Sequence, residues 1–279
     1  MLRSMDPRSY QIASLAGLLT YGMGWLEFDI GWVQATLTLA GVLMVQWACT
    51  RVWKLPAFEA KSALISGLSL CLLLRTNSLW LVAIAVVITI ISKFVIRWRG
   101  KHVFNPTNFG LVAMMLATDG QVWVSPGQWG NVAFFGFLMA CLGGLVVNRA
   151  ARTDVTLAFL GFYIALVFGR SVYLGEPMAI PLHRLQSGAL LLFAFFMVSD
   201  PRTTPDSRAG RILFAGLVAF GGWYVQFRLF GTNGLLWSLA VCSLLVPFID
   251  LLLPGPRYRW RSSAESSTVT TPQIQPALS

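Results

Sequence analysis

Charge is scarce in this chain. Only 11% of its 279 residues are Asp, Glu, Lys or Arg, where soluble globular proteins carry about 25%. A polar shell cannot be built from so few charges, which excludes an ordinary soluble domain. Histidine is scarcer still, with two in the whole chain. The four cysteines (Cys49, Cys71, Cys141 and Cys242) all lie in apolar runs and form no CxxC pair. Disulfide staples and a Cys/His zinc site are therefore not expected, and no metal is.

What is abundant is apolar surface. Hydrophobic residues make up 56% of the chain and the mean hydropathy is +0.67, so lipid must be the solvent for most of the exterior. The chain reads as an all-helical polytopic membrane protein. Apolar runs fall at about 10–25, 32–50, 62–74, 79–96, 108–118, 130–148, 155–173, 186–199, 211–227 and 235–253, ten in all. The first follows Arg3 and Arg8 as a signal peptide would. No small-residue cleavage site precedes Glu27 and Asp29, so it is read as a retained span. The third, fifth and eighth runs fall short of the roughly 17–25 residues that a spanning helix needs. Short, tilted or broken helices around an interior site are expected there.

Basic residues test the count, because Lys and Arg gather on alternate loops of a multispanning protein. With the N-terminus inside, the inner loops hold Arg3, Arg8, Arg51, Lys54, Lys61, Lys93, Arg97, Arg99, Lys101, Arg149, Arg152, Arg202, Arg208, Arg211, Arg257, Arg259 and Arg261. The outer loops hold Arg75, Arg170, Arg184 and Arg228. Seventeen face four, together the 21 Lys and Arg of the chain. The excess of +10 thus reads as orientation against anionic lipid headgroups, not as affinity for nucleic acid. Both ends are expected in the cytoplasm of a bacterial inner-membrane protein.

Ten spans divide into two sets of five, and an odd number per set inverts the second copy. The expected single transmembrane domain is 1–260, with repeat halves of about 10–118 and 130–253. Lys61-Ser62-Ala63-Leu64 opens the short third run as Gln186-Ser187-Gly188-Ala189-Leu190 opens the short eighth. After Trp260 the sequence turns to Ser, Thr, Pro and Gln, so residues 261–279 are expected to be a disordered cytoplasmic tail.

Polar residues in or beside apolar runs are the functional candidates. The first group is GKHVFNPTNFG (100–110), where Pro106 keeps Asn105 out of helix and the Asn and Thr side chains can hydrogen-bond a neutral heteroaromatic edge. A helix start with Thr107 or Asn108 as N-cap explains the same residues. The second runs from Ser187-Gly188-Ala189 to Ser199-Asp200-Pro201 and on to Arg211. Asp200 closes an apolar helix at the end where the dipole disfavours an anion, so it needs a partner, with Arg202, Arg208 or Arg211 available. An ion-paired inner loop accounts for these arginines. The third is Asp250, near the inner face, where snorkelling is the simpler reading. Ser62, Ser66, Gly67, Gly143 and Gly144 read as helix-packing positions. Trp25, Trp32, Trp80, Trp98, Trp129 and Trp260 sit near span ends as an interfacial belt.

The stretch SGALLLFAFFMVSDPRTTPDSRAGRILFAG with VPFIDLLLPGPRYRWR, preceded in order by KSALISGLSL and GKHVFNPTNFG, resembles one family, that of RnfD and NqrB. Its members are the RnfD component of the Rnf ion-translocating electron-transport complex and the NqrB component of the sodium-pumping NADH:quinone oxidoreductase. The resemblance implies ten spans in a urea-transporter-like inverted repeat, redox partner proteins and flavins that pass electrons across the membrane. It further implies a noncovalent FMN or riboflavin near the asparagine-proline loop, with His102, Asn105, Thr107, Asn108, Ser187 and Gly188 as cofactor-binding candidates. Asp200 and Asp250 become the candidates for ion coupling. His102 stands where the family often has another asparagine, and Leu190 replaces the threonine of its Ser-Gly-Ala-Thr. The family's covalent acceptor is a threonine in an Asp-Gly-x-Ser-x-Ala-Thr type loop. Here 118–130 reads TDGQVWVSPGQWG, without Ser-x-Ala-Thr, so no covalent flavin is expected. The chain also resembles the compact stand-alone relatives found in biosynthetic gene clusters, including those of enediyne natural products. The rival class is a transporter or channel for a small solute or natural product without redox chemistry. One consequence is directly measurable: after denaturing electrophoresis the protein band should show no flavin fluorescence, and a fluorescent band would overturn the reading of 118–130.

Overall fold

The computed structural model describes residues 6–25, 28–124, 136, 138, 142–144 and 153–257. The first set of helices is α1 (Pro7–Trp25), α2 (Trp32–Val52), α3 (Ala60–Leu73), α4 (Leu79–Val95) and α5 (Pro106–Ala117). The second set is α6 (Thr153–Leu174), α7 (Ala179–Leu185), α8 (Gly188–Leu192), α9 (Arg208–Phe227), α10 (Gly234–Ser243) and α11 (Val246–Leu252). The expected sixth span lies almost wholly outside the described residues, as do the tail and residues 125–130 of the outer loop. Every other apolar run falls on a helix or on a pair of helices.

Among the described residues two helices, α2 and α6, are each long and apolar enough to cross a membrane. Two pairs, α7 with the segment Gly188–Met197 and α10 with α11, meet that requirement jointly and are bent by 50° at their breaks. Pro247 at the start of α11 explains one break, because a proline cannot donate to the preceding turn. The other falls at Gln186–Ser187, and α8 then continues as a π-helical turn over Phe193–Met197. The short runs are short helices: α3 has 14 residues and α5 has 12, or about 21 and 18 Å at 1.5 Å per residue, against a hydrocarbon core of about 30 Å.

The expectation of a purely helical chain needs one correction. β1 (Leu74–Arg75) pairs antiparallel with β4 (Trp123–Val124), and β2 (Arg97–Trp98) with β3 (Lys101–His102). The second ribbon turns through Arg99 and Gly100, both at positive φ, the conformation that a two-residue hairpin demands. A second correction concerns Arg75, expected as an outer-loop charge. It is 1% exposed, and its guanidinium donates to the carbonyls of Cys71 (3.0 Å), Leu72 (3.3 Å) and Leu74 (2.8 Å). A short helix ending in an apolar interior leaves its last carbonyls without partners, and this arginine supplies them.

Within the first set α2 packs on α3 and α4, α1 on α3, and α4 on α5; within the second, α9 packs on α6 and α10. The sets join where α10 meets α5. The exterior is apolar, with Trp25, Trp32 and Trp80 exposed at helix ends, where an aromatic belt belongs. Gly110 allows the α4–α5 contact, since an added Cβ would overlap the Thr89 hydroxyl and lie 3.1 Å from its Cβ. Gly110→Ala should cost about 1–3 kcal/mol by overpacking, read as a lower unfolding temperature in detergent. Gly17→Ala, with open space around it, should not lower it.

Candidate functional site

Asn105 organises the site. It is extended at φ −61°, ψ 123°, as the residue before a proline must be. Its side-chain oxygen accepts from the Asn108 backbone N–H at 3.1 Å. The N-cap of α5 is therefore Asn105, not Thr107 or Asn108, and Pro106 takes the first helical position, where its missing N–H costs nothing. The other end of the same amide, Nδ2, donates to Asp200 Oδ2 at 3.3 Å. A cap from the first half of the chain thereby holds a carboxylate from the second.

Asp200 follows the π-helical turn and sits in a tight turn of its own. Its Oδ1 accepts from the Arg202 backbone N–H at 3.0 Å, and its carbonyl accepts from the N–H groups of Thr203 and Thr204. The arginine side chains expected to partner it are engaged elsewhere in two cases. The Arg202 guanidinium bonds Glu59 at 3.2 Å, and Arg211 bonds Asp154 at 2.8 Å.

Alternation along β3 separates two neighbours. Lys101 points to Asp206 (3.0 Å) and Asp250 (2.7 Å), and Asp250 also accepts the Asp206 backbone N–H at 2.7 Å. Asp250 is thus tied into an inter-half clamp, not simply snorkelling. His102 faces the other way and is buried, with Nε2 3.5 Å from an Arg202 guanidinium nitrogen and, among the described residues, no hydrogen bond to Nδ1. Burial first, then the cations Arg202, Arg97 and Lys93, pushes its pKa well below the usual histidine range. The imidazole is neutral at physiological pH.

These groups enclose a cleft. His102, Asn105, Thr107 and Asp200 form one side. Ser62, Ser66 and Ser69 of α3, on one helical face at spacings of four and three, form another with Lys93. Phe195, Phe196 and Met197 of the π-helical turn close it, and Arg8 and Arg202 stand at its lining with Glu59 bridging them at 3.5 and 3.2 Å. Of the remaining candidates, Asn108 is fully buried and donates to the Leu236 carbonyl in α10 at 3.2 Å. Ser187 and Gly188 lie at the α7–α8 break, away from this cleft.

Sequence reasoning missed Lys93, counted as a loop charge, Ser62 and Ser66, read as packing residues, and Ser69. Lys93 lies inside α4 and is 4% exposed. An ionisable residue within an apolar run was the available signal, together with the i, i+4, i+7 serine spacing.

The donors suit a flavin's polar edge, but the enclosed space does not suit its ring. The cavity measures about 70 Å³, against the roughly 300–1,000 Å³ of pockets that enclose ligands of that size.

A model of the NQR2, RnfD, RnfE family matches residues 124–258. The chain is similar to the D subunit of the ion-translocating oxidoreductase complex of Citrobacter koseri, 30% identical over 54% of this chain and 40% of that protein. It is similar to the same component from Tolumonas auensis, 42% identical over 44% of this chain and 34% of that one. A third, from Halorhodospira halophila, is 24% identical over 92% of this chain and 90% of its own length. The matched segments thus span well under half the length of the first two relatives. The chain is thus similar to the NQR2, RnfD, RnfE family over residues 124–258, with a weaker likeness to one relative over most of its length.

Proposed function

We propose that the chain is the membrane-embedded component of an ion-translocating electron-transport complex, relaying electrons in a bacterial inner membrane with redox partner proteins beside it. The observation that carries this reading is the cleft where Asn105 of the first half meets Asp200 of the second, inside a chain whose relatives are named as subunits of such a complex. Five-plus-five inverted spans with both ends cytoplasmic belong to the same reading. The short α3 and the broken α7–α8 pair, at corresponding places in the two halves, support it.

A noncovalent FMN or riboflavin is the redox group of this proposal, supplying reversible electron transfer when bound. His102, Asn105 and Thr107 are its candidate polar contacts on this chain, and the cleft must widen to admit the ring. Asp200 is the better candidate for ion coupling, because it lines the cleft. Asp250 is already neutralised by Lys101 at 2.7 Å.

Purified protein should show the near-ultraviolet and blue absorption bands of oxidised flavin, released on denaturation. A folded, colourless preparation would sink the redox reading in favour of a solute transporter. Asn105→Leu should lower flavin occupancy several-fold relative to wild type at equal folded content. Unchanged occupancy would remove the asparagine-proline loop from the binding site.

A further inference from the structure

We propose that Arg184, with Arg170 beside it, binds the phosphodiester of an anionic phospholipid whose headgroup carries no cation of its own, at the junction of α6, α7 and α9. The inference rests on the chain being embedded in a membrane and holds whether or not it relays electrons.

The count of basic residues leaves four on the side read as outer: Arg75, Arg170, Arg184 and Arg228. Arg75 is taken up inside the molecule by the end of α3. Two of the others meet on one ring. The guanidinium carbons of Arg170 and Arg184 lie 4.4 and 4.9 Å from the centroid of Phe227, the last residue of α9. Arg228 follows Phe227 directly and is exposed. The side that is poor in cations thus gathers them at a single place. All three stand at helix ends, Arg170 one turn before the end of α6, Arg184 in the last turn of α7 and Arg228 just after α9. Tyr173, 86% exposed at the end of α6, marks the same level as interfacial.

Acids do not match these cations. Glu176 accepts from Arg170 at 2.7 Å and from the Ser171 hydroxyl at 2.9 Å, and acts on Arg184 only at longer range. Among the described residues neither Arg184 nor Arg228 has a carboxylate within 4.0 Å. A guanidinium that stacks on a ring uses its face and keeps its N–H donors in the plane, which is the fork that fits a phosphate. Next to this fork Ala179, Ile180, His183 and Arg184 line an open hollow along α7. Its floor is apolar one turn before its cationic end, the order in which the acyl-glycerol and phosphate parts of a phospholipid follow one another. A free phosphate ion would use the donors and leave the apolar floor uncovered. A zwitterionic headgroup would bring an ammonium against the same arginines, so the surplus of positive charge selects a lipid such as phosphatidylglycerol.

The test uses the full chain purified in a neutral detergent and stripped of lipid. Native mass spectrometry follows binding of phosphatidylglycerol and phosphatidylethanolamine with the same acyl chains, added in equal amounts. The phosphatidylglycerol adduct should exceed the other several-fold, and Arg184→Gln should make the two equal. Arg184 is exposed, so glutamine there does not unpack the fold. Arg257→Gln, at an exposed cation read as lying on the inner side, should keep the wild-type preference. Phosphatidylglycerol should also raise the unfolding midpoint, followed by tryptophan fluorescence, by about 2 °C once it is several-fold above its Kd. Inorganic phosphate at the same ionic strength should not. Equal binding of the two lipids by wild type, a preference retained in Arg184→Gln, an equal loss in Arg257→Gln, or the same shift with inorganic phosphate alone would each overturn the site. A colourless preparation that selects phosphatidylglycerol would defeat the electron-relay reading and leave this one standing, and a flavin-bearing preparation without the preference would do the reverse.

Discussion

One side-chain amide bridges the two halves of this protein at the cleft. Asn105 accepts from Asn108 with its oxygen and donates to Asp200 with its nitrogen, so the start of α5 and the turn after the π-helical segment are fixed by the same planar group. In an apolar surrounding such bonds have no water to compete with them, and leaving either end unmade carries the full desolvation cost. His102, at the end of the β2–β3 hairpin, lines the cleft beside this bridge. Asn108 meets α10 one turn deeper.

The same constraint explains where the charges went. Lys101 is gripped by Asp206 and Asp250, Arg211 by Asp154, and Arg75 by the open end of α3. Each pairing joins segments distant in sequence or satisfies a helix end, which is what charge must do where lipid replaces water. Broken helices are tolerated for the same reason. The freed backbone groups at the Asp200 turn find Thr203, Thr204 and Arg202 as local partners, and the π-helical turn brings Phe195, Phe196 and Met197 against the polar wall as an apolar lid. The result is a small chamber with a serine face, a lysine and a carboxylate, walled by both halves of the chain.

Much of this was legible in the chain itself. Apolar runs mark the helices because burial in lipid requires a continuous apolar stretch, and the three short runs correspond to the short α3 and α5 and the broken α7–α8 pair. Asp200 and Asn105 stood out because polar groups are costly there. The reading failed where local pattern carries no information about depth. Lys93 and Arg75 each lie within a few residues of a run's end, and counting treated both as loop charges. Which face of α4 Lys93 occupies, and that α3 stops short with carbonyls to be capped, depend on neighbours from other parts of the chain. The N-cap is Asn105 and not Thr107 or Asn108: its oxygen takes the Asn108 N–H, while its nitrogen reaches Asp200, 95 residues away.

Composition and spacing by themselves determined that the chain is a multispanning membrane protein, which runs are short, and which polar groups are expensive enough to need a purpose. These are properties of transfer free energy, additive along the chain and readable residue by residue. Only the tertiary structure decided which polar groups meet: that Asp200 faces Asn105 and lines a chamber with Lys93, while Asp250 is spent on Lys101. Hydrogen bonds and ion pairs act over about 3 Å, and which atoms come that close is set by how the two halves pack, not by their order in the sequence.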